Sequence, residues 1–306
     1  MRPRQRETGT GLPSTTTGTH REAFGSVEWS LLAAVATIWG SSFVFMAIGL
    51  EAFEPGVITL ARVALGAATV ALFPKARAPI EREHRRRIVL LGIVWIAIPL
   101  MIFPVAQQWI DSSVAGMLNG GVPIAALLWA IVLLRALPRW RQAVGIGVGF
   151  VGVVAISIPG IVESPSSALG VGLVLVAVVL YGLSTNLVVP LQHRYGALPI
   201  LLRAQLVALV IVTQYGLLQI SGSTWAWGPA IAMVPLGVLG TGLAFVLMTT
   251  LLGRAGASRG SIAVYFIPIV AMVLGVLVRN ETIEPIAIAG TGAVLVGAWI
   301  ASRKET

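Results

Sequence analysis

Arg62 stands inside an apolar run of this 306-residue chain and is the first residue whose type and place demand a partner. A guanidinium in hydrocarbon costs on the order of 2.5–3.5 kcal/mol unless something meets it. A substrate carboxylate would do so; so would snorkelling or helix-end carbonyls. Arg203 lies nearer its segment end, where snorkelling suffices. Asn119 sits one turn before Pro123, with Gly120 and Gly121 between, and Tyr265 has a related place before Pro268. A proline removes the N–H that the carbonyl one turn earlier would accept, and small neighbours let a ligand or helix come close. Each proline thus marks either a structural kink or a cavity wall that doubles as a hinge, and Pro99 and Pro104 suggest a third irregular helix. Gln107, Gln108, Tyr181, Ser184, Thr185 and Asn186 add neutral hydrogen-bonding capacity, while Trp39, Trp95 and Trp129 lie deep, for helix packing or cavity lining. Such side chains recognise rather than react. The apolar segments hold no Ser/His pair, Asp pair or HExxH, and zero Cys excludes thiolate metal sites and Cys nucleophiles, so no catalytic residue, metal or cofactor is expected.

The elements that position these residues follow from composition. The chain is 57% hydrophobic and 11% charged with a mean hydropathy of +0.90. Soluble domains carry about 25% charged residues, so this is an all-α integral membrane protein whose partner is the lipid bilayer. Residues 1–28 are polar and read as a disordered cytoplasmic tail, because the first apolar run begins too far from the basic start for a signal peptide. Apolar segments follow at 30–50, 55–73, 88–110, 112–134, 140–161, 168–190, 198–220, 228–252, 257–279 and 284–302. With both termini cytoplasmic, 18 of the 21 Lys and Arg fall in cytoplasmic segments and only Arg279 in an external loop. One missed span would reverse every later loop, so the bias supports ten transmembrane helices. It also accounts for the net charge of +9 without a nucleic-acid partner. Trp29, Trp109, Trp140, Trp225 and Trp227 fall at segment ends, where interfacial anchoring explains them.

Residues 121–155 and 266–300 align without gaps at an offset of 145, pairing Pro123 with Pro268 and Gly145, Gly147 and Gly152 with Gly290, Gly292 and Gly297. Arg62 is echoed by Arg203 and Trp39-Gly40-Ser41-Ser42 by Tyr181-Gly182-Leu183-Ser184. The chain is thus two five-helix halves, 29–161 and 162–302, followed by a cytoplasmic tail at 303–306. Five is odd, so the second half enters the membrane inverted. Such repeats belong mainly to secondary transporters, with a midplane site between the halves and alternating access around it; a duplicated scaffold without transport is the bland alternative. The spaced glycines are expected to pack helices closely, since no Walker Lys or Rossmann strand accompanies them.

Trp39-Gly40-Ser41-Ser42, Arg62 and the pattern from Ser112 through Pro123 to Gly152 resemble the EamA family of the drug/metabolite transporter superfamily. The second copy resembles it more closely, in Gly256-Ala257-Ser258-Arg259-Gly260-Ser261, Pro268, Glu281 and the glycine-spaced last helix. Where the family carries a Glu after the fourth span this chain has Ala136. The resemblance covers residues 30–302 and implies an exporter of small metabolites, amino acids foremost, in the bacterial inner membrane, working as a monomer. Efflux of lipophilic drugs is the rival within transport; a scaffold and an intramembrane enzyme are rivals outside it. Every Asp, Glu and His lies in a tail, a loop or at a segment edge, so no midplane carboxylate is available for proton coupling. The expected cavity comprises Arg62, Trp39, Trp95, Gln108, Asn119, Tyr181, Ser184, Asn186 and Tyr265, with kinks or hinges at Pro99, Pro104, Gly120, Gly121, Pro123 and Pro268.

Overall fold

The structure, a computed structural model, describes residues 25–134, 140–255 and 262–302. The tails expected at 1–24 and 303–306, Ala136 and the motif at 256–261 lie outside the described residues. The described chain is helical throughout and contains no strand. Its helical passages are α1 (Ser26–Gly49), α2 (Pro55–Ala71), α3 (Arg85–Leu91, Gly92–Ala97 and Ile98–Ala106), α4 (Ser112–Asn119 and Val122–Leu134) and α5 (Trp140–Glu163). After these come α6 (Pro165–Tyr195), α7 (Ala197–Gln219), α8 (Trp227–Val234, Pro235–Leu243 and Ala244–Ala255), α9 (Ile262–Tyr265 and Ile267–Arg279) and α10 (Pro285–Ser302). Seven helices are long and apolar enough to cross a membrane; α2, α9 and α10 are shorter and apolar. Large apolar side chains such as Phe150, Val162, Val210, Leu218 and Leu277 point outward, as a surface bathed in lipid requires. The chain is therefore a polytopic membrane protein.

Local chemistry explains the boundaries. The Gly25 N–H donates to the Glu28 carboxylate at 3.0 Å, which starts α1 at Ser26 and takes residues 26–28 out of the expected tail. Pro55 and Pro165 open α2 and α6 at positions that need no N–H, and Ser164 caps α6 by accepting from Ser167 N at 3.1 Å. Gly196, with φ 80°, is all that separates α6 from α7; a residue with a Cβ would be strained there.

Among the described residues, four helices of the bundle break their regular ladder. The middle segments of α3 and α8, Gly92–Ala97 and Pro235–Leu243, are π-helical. Each adjoins a proline, Pro99 and Pro235, whose missing N–H disturbs the i→i−4 pattern. The irregularity expected in α3 is thus the stretch ahead of Pro99, while α3 runs on through Pro104 to Ala106. In α4 the break falls at Gly120 and Gly121, and in α9 at Phe266, each just before its proline.

Several helix contacts recur when a helix is exchanged for the one five places later. α1 packs on α8 as α6 does on α3; α1 on α9 as α6 on α4; α2 on α8 as α7 on α3. The pairs α2–α7, α4–α9 and α5–α10 map onto themselves. Glycine sets the closest of these: a Cβ on Gly145 would lie 2.5 Å from the Gly297 carbonyl, and one on Gly152 2.5 Å from that of Gly290.

Candidate functional site: an aromatic cavity around a buried arginine

A cavity of about 480 Å3 opens between α1, α2, α3, α4, α6, α8 and α9. Of the expected site residues, Trp39, Arg62, Trp95, Asn119, Pro123, Tyr181 and Tyr265 line it. Among the described residues Arg62 is its only charged residue, and no Asp, Glu, His or Lys lines it.

Arg62 does not snorkel. It is 7% exposed, held where Gly66 lets α2 close on Thr241 of α8 and Gly237 lets α8 close on Leu65. Its Nε donates to Thr241 Oγ1 at 2.8 Å and one terminal nitrogen reaches the Met46 sulfur at 3.3 Å. Among the described residues no ion pair forms at Arg62, so part of its five-donor fork is available to a ligand. Thr241 was not singled out in the sequence, although its Gly240-Thr241-Gly242 setting marks a helix made for close approach.

Aromatic rings build the remaining wall. Phe245 receives both Trp39 and Trp95 edge-on, at centroid distances of 5.2 and 5.4 Å, and Phe103 stacks on Tyr181 at 6.0 Å. The Trp39 indole donates to the Gly240 carbonyl at 3.0 Å and so pins α1 to the π segment of α8. Tyr265 donates to Ala298 O at 3.3 Å, tying α9 to α10. The Asn119 side-chain oxygen is buried without a hydrogen-bond partner. Thr185 and Gln192 of α6 and Thr249 of α8 add polar groups towards one mouth.

Ser184, Asn186 and Gln108 lie elsewhere. Ser184 is fully buried and donates to Val94 O at 3.1 Å and Leu180 O at 2.7 Å, satisfying a carbonyl of the α3 π segment. Gln205 does the same for α8, donating to Thr241 O at 2.7 Å. Asn186 donates to Ala126 O at 2.9 Å and Gly182 O at 3.0 Å, spanning the α4–α6 contact. Ser184 and Gln205 thus satisfy carbonyls of irregular backbone, Asn186 ties two regular helices together, and none of the three lines the cavity. Trp129 likewise donates to Val179 O and is absent from the lining. Of the kink positions, Pro123 lines the cavity, while Gly120 and Gly121 are buried in packing contacts, Gly120 against Pro268.

Gln108 belongs to a second hollow at the opposite end, of about 530 Å3, with Gln107, Glu51, Glu54, Asp111, Arg279 and Glu281. Contacts between the two halves of the chain close this end. Glu281 accepts from Ser112 N at 3.0 Å, Ser112 Oγ at 2.6 Å and Ser113 N at 2.9 Å. Arg279 pairs with Glu51, and Gln219 accepts from Gly56 N at 2.6 Å. Partial burial beside Glu281 and Glu163 raises the Asp111 pKa above the ordinary aspartate value, with Arg279 opposing. At the other end Glu81, Glu83 and His84 bring their ligand atoms within 4.8 Å, but Arg194 reaches Glu81 at 2.6 Å and Glu83 at 3.6 Å, which makes the group an ion-pair cluster; the Arg194 hydrogen bond lowers the Glu81 pKa.

The chain is 27% identical over 283 residues to an uncharacterized transporter of Archaeoglobus fulgidus, covering 91% of this chain and 99% of that protein. It is 24% identical to a probable terminal-alkyne amino-acid exporter of Streptantibioticus cattleyicolor, over 90% and 93% of the two chains. It is 25% identical to the threonine/homoserine exporter RhtA of Escherichia coli K12, over 90% and 92%. A crystal structure matches with a TM-score of 0.65 and 14% identity, over 91% of this chain and 99% of that one, a likeness of fold. A family model described as EamA-like transporter matches twice, at residues 28–158 and 168–303, and the chain therefore belongs to the EamA-like transporter family.

Proposed function

We propose that the chain is a secondary transporter that exports small metabolites, amino acids and related carboxylates first among them, across the bacterial inner membrane by alternating access. The observation that carries this reading is the cavity itself: a buried Arg62 without an acidic partner among the described residues, set in an aromatic wall. Arg62 meets the substrate carboxylate. Asn119 Oδ1, with the carbonyls of Asn119 and Val264 that Pro123 and Pro268 deprive of their helical donors, meets the amino group. The printed names of two relatives, both amino-acid exporters, support the substrate class.

Ten spans in two inverted five-helix repeats, with both termini cytoplasmic, give the cavity a single opening towards the cytoplasm. The exchange pattern of helix contacts and the twofold family match support the repeat. The end bearing Glu281, Arg279 and Glu51 is then the closed external gate, and the breaks in α4 and α9 are its hinges. Among the described residues no carboxylate lines the cavity, which supports transport down the substrate's own gradient without midplane proton coupling. The reading treats one chain as the working unit.

Flux of radiolabelled amino acids into liposomes holding the purified protein, with and without a pH gradient, tests the proposal. Saturable flux that ignores the gradient is expected. Flux that requires it overturns the uncoupled mechanism. The aromatic walls favour one second reading, efflux of lipophilic drugs; an amino-acid ester competing as well as the free acid would select it.

A further inference from the structure

We infer that the cavity prefers an organic monoanion whose nitrogen is uncharged, such as an amino acid acylated on its nitrogen with a bulky apolar body, over the free zwitterion. The inference rests on the transport reading above and narrows its substrate.

Charge balance is the first argument. Arg62 contributes one positive charge to the lining, and among the described residues nothing in the lining opposes it. A monoanion closes that balance. A zwitterion brings no net charge, so one positive charge stays uncompensated and an ammonium must also leave water to sit in a cavity already holding a guanidinium. A cation adds repulsion and gains no partner.

Hydrogen bonding is the second. The Asn119 side-chain oxygen is an unpartnered acceptor buried in the cavity wall, which a ligand reaches once that side chain turns, and the backbone carbonyls of Asn119 and Val264 are acceptors too. They occupy equivalent places 145 residues apart, each four residues before the proline that breaks its helix. Acceptors call for N–H, and an amide N–H supplies it without a charge to desolvate. An aryl carboxylate lacking that N–H would leave the Asn119 oxygen unsatisfied.

Shape is the third. A volume of about 480 Å3 lies in the range that pockets for drug-sized ligands span, well beyond the needs of a small free amino acid. The apolar body has Phe43, Trp95, Phe103 and Phe245 to pack against. Those rings are engaged with one another, Phe245 receiving Trp39 and Trp95 and Phe103 meeting Phe43 and Tyr181, so a cation–π seat for an ammonium has to compete with them.

The test is equilibrium binding to the purified wild-type protein at pH 7 with radiolabelled N-acetylphenylalanine, competed by phenylalanine, phenylalanine amide and N-acetylphenylalanine methyl ester. The N-acetyl acid is expected to bind at least tenfold tighter than phenylalanine, and the amide and ester weakest. Arg62→Gln is expected to erase the preference for the acid and Arg62→Lys to keep it; the wild-type series decides the matter if either variant fails to fold. Phenylalanine binding as tightly as its N-acetyl form, or tighter, overturns this inference and leaves amino-acid export standing. Absence of binding and flux for every probe, with monodisperse protein, overturns the inference together with the transport reading.

Discussion

Glu281 holds the hydroxyl of Ser112 at 2.6 Å and its backbone N–H at 3.0 Å, so a residue from the second half of the chain caps a helix in the first. Asp111 occupies the position where an aspartate would ordinarily cap α4, yet its side chain makes no capping bond. The carboxylate arrives because Asn280 turns the chain at φ 53° and because Gly275 has no side chain in its way. Charge-assisted hydrogen bonds contribute about 1.5–3 kcal/mol, so Glu281→Ala is expected to cost roughly that much. The chain has no cysteine, which makes a labelling assay clean. Thermal unfolding measures the loss, and a cysteine placed at Ala47 in the outer hollow should react faster in the Glu281→Ala background if the cap holds the gate.

Arg62→Met gives an unusual pairing of outcomes. Deleting a structural ion-pair partner destabilises a protein, whereas removing a buried charge that has no counter-ion relieves desolvation. Among the described residues Arg62 donates only to a threonine hydroxyl and a thioether. The melting temperature of Arg62→Met is therefore expected to match or exceed that of the wild type while carboxylate binding falls at least tenfold. A loss of several kcal/mol in stability would make Arg62 a packing element instead.

The α5–α10 contact separates two glycines of the same helix. A Cβ at Gly152 meets the Gly290 carbonyl, and overpacking of this kind costs about 1–3 kcal/mol. Gly147 meets nothing within 4 Å, and alanine is favoured over glycine in a helix by about 1 kcal/mol. Gly152→Ala should lower the melting temperature and Gly147→Ala should hold or raise it, both read from one denaturation series.

Asp111 supplies a pH dependence. Its folded-state pKa is raised by burial and by Glu281 and Glu163, against the pull of Arg279, so the native state binds the proton more tightly than the unfolded chain. Its contribution to stability is therefore favourable below the ordinary aspartate value, near pH 4, and declines as pH rises through the raised value. Comparing wild type with Asp111→Asn from pH 4 to 8 should show the wild type losing stability relative to the variant as pH increases.

Membrane character and family were legible from apolar runs and short motifs, because both depend on residue type along the chain. The helix breaks at Gly120 and before Pro268 were legible for the same reason, since a proline acts on its own turn. Contacts across the fold were not. Whether Arg62 snorkels or stays buried depends on Thr241, 179 residues away, and on two glycines that let α8 approach. Ser184 and Asn186 read as cavity residues because polar groups in apolar text suggest a ligand; their carbonyl partners at Val94 and Ala126 belong to other helices. Gln108 was placed by depth in its segment, but α3 ends at Ala106 and leaves it in the outer hollow.

α10 is described over Pro285–Ser302 and packs on α5 along facing glycines. Ile286, Ile288, Val296 and Trp299 turn outward along it, so this short helix is one that lipid meets directly. A change in bilayer thickness is met by deformed lipid, by tilt, or by α10 shifting along its glycine seam with α5. That seam joins the two halves, so acyl-chain length becomes a lever on their relative position. Proteoliposomes of graded lipid thickness should show flux that varies with acyl-chain length, which would make this chain's activity respond to the growth condition that sets its membrane.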